Sequence, residues 1–509
     1  MAYLYLTAKP YIQFTRNSSE RMQNVRNKIT IIVYFVLFHS QAFGQSIIEM
    51  IDRASNATFT AIACDKDLHP IDTARAFFIS ADGLAITSAA LFQNADTLIF
   101  SDHQNRRLSI SRVLAIHEWS NLAIIQVAGI RNRDSDYLLP ERTSFSTPSE
   151  ILAFTYAENA NEAFTLGEIQ SVLHSGFLGR SATVTINNGN SSRAAPIINS
   201  NGYFIGIYGY LPTRSQGILI SSHIIHDEQW TSINLPWYKF KRHMYKSRLT
   251  TSLMFQAIVL QEMELWLDAA RTYTSSIRVI PDKAELYALR AICRYQYGNH
   301  IGGEEDCNRS VSLNPSSALP HLANAINNIN QKQYRSALDH LVSCVESEKP
   351  PVQAWLMLGQ IQALHGQVRE AYASYTLAIE QDSLFATGYY ERGRLLMQHA
   401  TDQERALNDF MLAARLNYQL PGVYTLIGNI RLNQMDYLEA INDFNRALRT
   451  NPEDVHALMN RGIAHYNTGL KEQACEDWDT AGRLGNTQAF RLISRHCSEL
   501  RRSRNTSGR

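Results

Sequence analysis

The sequence predicts two unlike parts, an all-β barrel or sandwich followed by an all-α solenoid. Three observations carry this. Between about residues 56 and 226, apolar runs of four to six residues are broken by Gly, Asn and Asp. From residue 250 onward, small residues recur at a spacing close to 34. Ahead of both, a ten-residue apolar run at 29–38 follows Arg26 and Lys28.

Composition bounds the rest. At about 100–200 residues per domain, 509 residues make two to four domains. A hydrophobic share of 45% with 19% charged residues excludes bulk disorder and collagen. Lys+Arg 48 against Asp+Glu 47 leaves a net charge of +1, so no overall field points to nucleic acid or an anionic membrane. The apolar runs stay below 18 residues, too short for a multi-pass membrane protein. Six cysteines without a CxxC pair indicate neither a disulfide scaffold nor a zinc site, and no metal or cofactor is expected.

The apolar run at 29–38 has the proportions of a secretory signal. Basic residues precede it, and Ala42 and Gly44 stand at the −3 and −1 positions of a cleavage site. Residues 1–44 are therefore expected to be removed, with Met22 opening a better-proportioned signal than Met1. The alternative, a retained anchor, asks for about 20 apolar residues. Export to a bacterial periplasm or cell envelope, or secretion, follows, with disulfides permitted and no membrane span left after cleavage.

In the first half the runs at 76–80, 84–87, 97–100, 122–127, 151–154, 182–186, 203–208 and 216–220 read as strands without intervening amphipathic helices. Three segments carry a resemblance. The first is Asp82-Gly83 between two apolar runs, leading through Thr87-Ser88-Ala89 to Ala90. The second is His117-Glu118-Trp119-Ser120-Asn121-Leu122-Ala123. The third is Ser191-Ser192-Arg193-Ala194-Ala195-Pro196-Ile197, with the strand after it. In order and spacing they resemble the trypsin-like serine proteases, particularly the bacterial high-temperature-requirement group. The resemblance implies a double β-barrel over 46–230, with the histidine, aspartate and serine positions at Ala90, Asn121 and Arg193.

That chemistry is missing. A serine hydroxyl needs an imidazole to take its proton and a carboxylate to orient the imidazole. Ala90 accepts no proton, Asn121 cannot stabilise an imidazolium, and Arg193 is a cation where the nucleophile belongs. Ser191, Ala194 and Ala195 also replace the glycines of the loop. The expectation is a pseudoprotease, with no catalytic residues. The rescue alternative makes Ser192 the nucleophile, with His103 or His117 as base.

The second half repeats. Ala257, Ala291, Ala325, Gly359, Gly393, Gly428 and Gly462 are followed twelve or thirteen residues on by Ala269, Gly303, Ala337, Ala371, Ala406, Ala440 and Ala474. Antiparallel helices approach closely only where side chains are small, and Pro281, Pro315 and Pro452 stop the second helix of three units. The spacing resembles the tetratricopeptide repeat. Seven units are expected over 250–487, after a linker at 231–249, with a capping helix at 488–497 and a disordered tail at 498–509. The second unit, with Gly303 where alanine is usual, is the weakest.

The resemblance implies a superhelix whose concave face takes a protein or peptide. Tyr390, Arg394, Asn429, Asn433, Tyr466 and Asn467 are the expected lining. Either Cys293–Cys307 or Cys475–Cys497 is a candidate disulfide, and Cys475–Cys497, a staple on the terminal cap, is favoured. The whole reads as an exported, non-enzymatic interaction protein. The alternatives are an active endopeptidase whose repeats recruit substrate, and an envelope scaffold with the barrel as spacer.

Overall fold

The computed structural model describes residues 44–102, 104–130, 137–138, 149–154, 165–175, 178–186, 193–199, 203–210, 216–240, 251–399, 402–417 and 419–497. The expected signal segment before residue 44, the end of the linker, the tail at 498–509, and the residues His103, Ser191 and Ser192 lie outside them.

Helix α1 (Gly44–Ala57) opens the described chain and turns Ile51, Ala54 and Ala57 inward, three residues apart on one helical face. β1 (Thr58–Cys64), β2 (Pro70–Phe78), β3 (Leu84–Ser88), β4 (Thr97–Ser101), β5 (Arg107–Leu108), β6 (Ile110–His117) and β7 (Leu122–Val127) form one sheet together with β14 (Thr231–Pro236). A short helix, α2 (Leu91–Asn94), follows β3. β8 (Ser149–Ala153), β9 (Thr165–Ser175), β10 (Gly179–Ile186), β11 (Ala195–Asn199), β12 (Phe204–Tyr210) and β13 (Gln216–Ser221) close into a six-stranded barrel.

Among the described residues only this second unit closes. The first is an open eight-stranded sheet in the order β14-β6-β7-β3-β2-β1-β4-β5, which corrects the expectation of two closed barrels. Its edges are β14 and the two-residue β5, and these do not meet. β14 also lies inside the stretch read as linker. Its alternation turns Ile233 and Leu235 toward the sheet's core, and Phe240 just beyond is fully buried, its ring 5.3 Å from Phe92. The register Thr231↔Ile116 to Pro236↔Arg112 ties this return strand to β6.

Seven helix pairs follow among the described residues. They are α3 (Thr251–Glu262) with α4 (Trp266–Val279), α5 (Ala284–Gln296) with α6 (His300–Leu313), and α7 (Ala318–Asn330) with α8 (Tyr334–Val345). Then come α9 (Val352–Leu364) with α10 (Val368–Gln381), α11 (Ala386–Gln398) with α12 (Gln403–Leu416), α13 (Val423–Asn433) with α14 (Tyr437–Thr450), and α15 (Val455–Asn467) with α16 (Lys471–Arg483). Helix α17 (Thr487–His496) ends the array, capped by the Asn486 side chain on the amides of Gln488 and Ala489.

The recurring small residues are sockets for rings. A Cβ on Gly359, Gly428 or Gly462 would stand 2.6, 2.7 or 2.4 Å from Tyr375, Phe444 or Trp478 on the second helix of the same unit. In the second unit large and small exchange places, with the Tyr295 ring on the first helix seated against Gly303 on the second. That exchange is why this unit departs from the pattern. In six of the seven pairs the inner turn has a left-handed residue, and Glu264, Gly298, Lys332, Gly366, Met435 and Gly469 supply it at equivalent positions.

A second repeated device was not read from the sequence. Arg290, Arg392 and Arg461 hold Asp306, Asp409 and Asp477 with two guanidinium nitrogens each, and a third nitrogen donates back to Thr274, Thr376 or Asn445 of the preceding unit. Each guanidinium thus pins three helices, and its planar fork suits the carboxylate.

Candidate functional site

The three positions that would carry a triad lie where the sheet meets the barrel. Ala90 precedes α2 and has no group to offer. Asn121, buried between β6 and β7, adopts φ 56° and donates its Nδ2 to Ser88 Oγ at 3.2 Å. Its carbonyl accepts the Ala89 amide at 2.9 Å, so the residue joins the end of β3 to the turn before β7.

Arg193 reaches from the barrel loop to the open sheet. Its Nη1 meets Asp72 Oδ2 at 2.6 Å, and its carbonyl accepts the Arg75 amide at 2.9 Å. With the bridge between Ala74 and Arg193, the loop is bound to β2 of the open sheet. The pair is about 30% exposed on both sides, so its weight is geometric more than energetic. Ala194 holds φ 57°, a left-handed conformation that favours glycine, and its amide donates to Tyr208 at 3.0 Å.

Between these groups a cavity of about 20 Å³ remains, lined by Asn121, Ser88 and Arg193 on one side and Ser252, Phe255 and Gln256 on the other. That is room for one water. The second set belongs to α3, the first helix of the array. Phe255 is 4% exposed and presses on Gly209 of β12, where an added Cβ would lie 2.3 Å from the ring. Met254, Phe255 and Ile258 share one buried core with Phe204, Ile207, Ile218 and Ile220 of the barrel. The array's first helix therefore fills the cleft between the β units, and nothing in the spacing of either half signals it.

His117, the base of the rescue alternative that falls within the described residues, is fully buried. Its Nδ1 accepts the Ser120 amide at 3.2 Å, while Nε2 faces Asp227 at 3.8 Å and the ring packs against Trp230.

On the repeat array the expected concave residues fall into separate groups. Tyr390 donates its hydroxyl to the Pro421 carbonyl at 2.8 Å, and the Arg394 guanidinium lies 5.8 Å over its ring while pairing with Glu391 at 3.1 Å. Asn429 accepts from Asn460 of the next unit at 2.7 Å. Asn433 is exposed, and Asn467 donates to the Ile463 carbonyl at 2.8 Å. The Tyr466 ring lies 4.5 Å from that of His496 of α17, tilted by 57°, which makes it part of the end cap.

A disulfide joins Cys475 to Cys497. Cys293 and Cys307 are free, both buried, and burial pushes each thiol up to about 12, which keeps them protonated and inert. Among the described residues one group offers three ligand atoms within reach of an ion, Asp65, Asp67 and His69 in the β1–β2 turn. Asp65 Oδ1 already accepts the amides of Asp67 and His69, and the exposed set has the form of an ordinary turn.

No helix among the described residues is long and apolar enough to cross a membrane. Parts of the chain are similar to known proteins. Human tetratricopeptide repeat protein 6 is 23% identical over 215 residues, 40% of this chain and 39% of that protein. The chain spans less than half the length of the curated relatives it matches. Among solved structures, PilF of Pseudomonas aeruginosa is 18% identical and aligns with 45% of this chain and 99% of its own, at a TM-score of 0.35. A protease from M. tuberculosis in its active form is 14% identical, aligned with 35% of this chain and 81% of its own, at a TM-score of 0.30. Residues 425–485 match the family model of the tetratricopeptide repeat. The matched stretch takes in the sixth and seventh helix pairs, and pairs of the same build, with the same sockets, precede it along the helical half.

Proposed function

We propose that the chain is an exported, non-enzymatic interaction protein, in which a β domain of trypsin-like descent has become the cap of a repeat array that holds a protein partner. The observation that carries this is the cleft itself. It is filled by α3, with Phe255 against Gly209, and its remaining space admits one water. A solenoid end needs a cover, because the outer face of a terminal repeat has no neighbour to bury it. The β domain covers the first unit, and α17 with its disulfide covers the last.

Ala90, Asn121 and Arg193 support the same reading, because none supplies a nucleophile, a base or an orienting carboxylate. Partner binding is assigned to the first-helix face of the array, where Asn429, Asn433 and Arg394 lie. Likeness to other repeat proteins supports a protein partner over a small molecule.

The test treats residues 45–509 with a fluorophosphonate serine-hydrolase probe and reads the intact mass. An unchanged mass, with the fold verified by circular dichroism, is expected. A labelled serine overturns the reading in favour of an endopeptidase whose repeats recruit substrate.

A further inference from the structure

Beyond the packing of α3 in the cleft, polar contacts among the described residues tie the β domain to the array at two places far apart along it. The near contact lies at the turn between the first and second units, where Lys283 Nζ meets Glu118 Oε2 at 2.7 Å and sits 5.2 Å from the centre of the Trp119 ring. The far contact is made by the β9–β10 hairpin. Arg180 of β10 is only 6% exposed, and its Nη2 donates to the carbonyl of Leu416, the last residue of α12. The Asp382 carboxylate opposes the fall in the arginine's affinity for its proton, which burial draws down to about 10. Beside it, Gln419 Nε2 donates to the Gln170 carbonyl of β9 at 3.2 Å.

Lys283, Asp382 and Gln419 belong to turns that join one unit to the next, and Leu416 ends the helix that leads into one. Because successive helices run antiparallel, these turns share one rim of the solenoid. The near and far contacts are four repeats apart on that rim.

The far contact is built as a helix-end grip. The last turn of α12 leaves carbonyls without intrahelical partners and carries the negative end of the helix dipole, and a guanidinium answers both. A buried cation is costly unless its partners are in place. Here a carbonyl and a carboxylate that the array presents supply part of what holds it.

In a solenoid each unit contacts only its neighbours, so overall curvature is a sum of small rotations and bends easily. A rigid barrel fixed to two points of the arc removes that freedom. We infer that the β domain is a strut, gripping the array through Lys283–Glu118 at one point and through Arg180 on the α12 end at another, and so setting the curvature of the units between. This assigns the barrel a mechanical role that is independent of whether the array binds a partner.

The experiment uses the full chain with nitroxide labels at Ile301→Cys and Leu438→Cys, exposed positions 77% and 68% open to solvent on the second unit, at the start of the span, and on the sixth, just past its end. Electron–electron double resonance reads the distance between them. A single narrow distribution is expected in the parent. In Arg180→Ala the distribution should widen and move to longer distance, and Asp382→Ala/Gln419→Ala should do the same from the array side. The array-side double variant decides if Arg180→Ala fails to fold. A Gln170→Cys/Gln419→Cys cross-link, in a parent labelled through orthogonal residues, should restore the narrow distribution to Asp382→Ala. Unchanged distributions in the folded variants overturn the strut.

Discussion

The two halves bury their rings in opposite ways. In the array each ring is seated by its own unit, Tyr375 on Gly359, Phe444 on Gly428 and Trp478 on Gly462. In the β half the partners come from distant stretches, Phe77 with Phe204 at 5.1 Å and Phe92 with Phe240 at 5.3 Å. The array thus places its stability in local contacts that each unit makes again, while the β half depends on strands that meet only when the whole unit is assembled. Damage to one repeat is expected to stay near it, and damage to the β core to spread.

The contact that joins the two schemes gives the largest expected effect. Phe255→Ala empties the cleft and should cost about 3–5 kcal/mol. Calorimetry should then resolve separate transitions for the β domain and the array where the parent shows coupled unfolding. A single undiminished transition would mean that the halves are joined elsewhere.

At the other end, Cys475→Ser/Cys497→Ser opens a loop whose ends are 22 residues apart and should cost about 2–4 kcal/mol. The loss should appear as faster amide exchange confined to α16 and α17. Spread of exchange into the first units would contradict the local character of the array.

Gly428→Ala tests one socket. Its Cβ would stand 2.7 Å from the Phe444 ring, so the pair must part, at about 1–3 kcal/mol. Chemical denaturation of the variant, compared with the combined Gly428→Ala/Phe444→Leu change, should recover part of the loss, because the smaller side chain readmits the methyl.

In the β half, Ala194→Gly relieves a left-handed residue at φ 57° and should gain about 1 kcal/mol in urea midpoint measurements. A loss there would show that the alanine methyl packs usefully in the cleft.

The smallest effect concerns pH. Burial lowers the affinity of His223 for a proton, Arg180 and His226 add to this, and Asp382 opposes it. Its Nδ1 also lies 3.1 Å from Ser221 Oγ. With the folded value depressed, the unfolded chain takes up the proton first as pH falls past about 6.5, so the stability contribution present above that pH is lost below it. The urea midpoint should fall between pH 7 and pH 5, and His223→Gln should flatten that slope. An identical slope in the variant would remove His223 from the explanation.

Much of the array was legible from sequence because its determinants sit at fixed offsets within one unit. Two helices and a turn use about 34 residues, and a small residue must recur wherever the helices cross. Gly298, Gly366 and Gly469 are readable at the left-handed turn, but Glu264, Lys332 and Met435 do the same task without the signal of glycine. The paired arginines were missed because an Arg and an Asp sixteen or seventeen residues apart form no pattern until the helices are folded back on each other. In the β half the sequence marked the runs that became strands and singled out the positions Ala90, Asn121 and Arg193. It did not mark β14, whose alternation over six residues was hidden beside a basic stretch.

The sequence by itself determined the repeat period, the sockets and the identity of the groups standing at the cleft, since all of these are properties of residue type and local spacing. Tertiary structure alone decided that one β unit closes while the other stays open, that Asp72 receives Arg193, that α3 occupies the cleft and that Arg180 reaches the end of α12. Those choices join residues up to 236 positions apart, and such pairs are set by packing and burial across the whole chain, where no offset along the sequence records them.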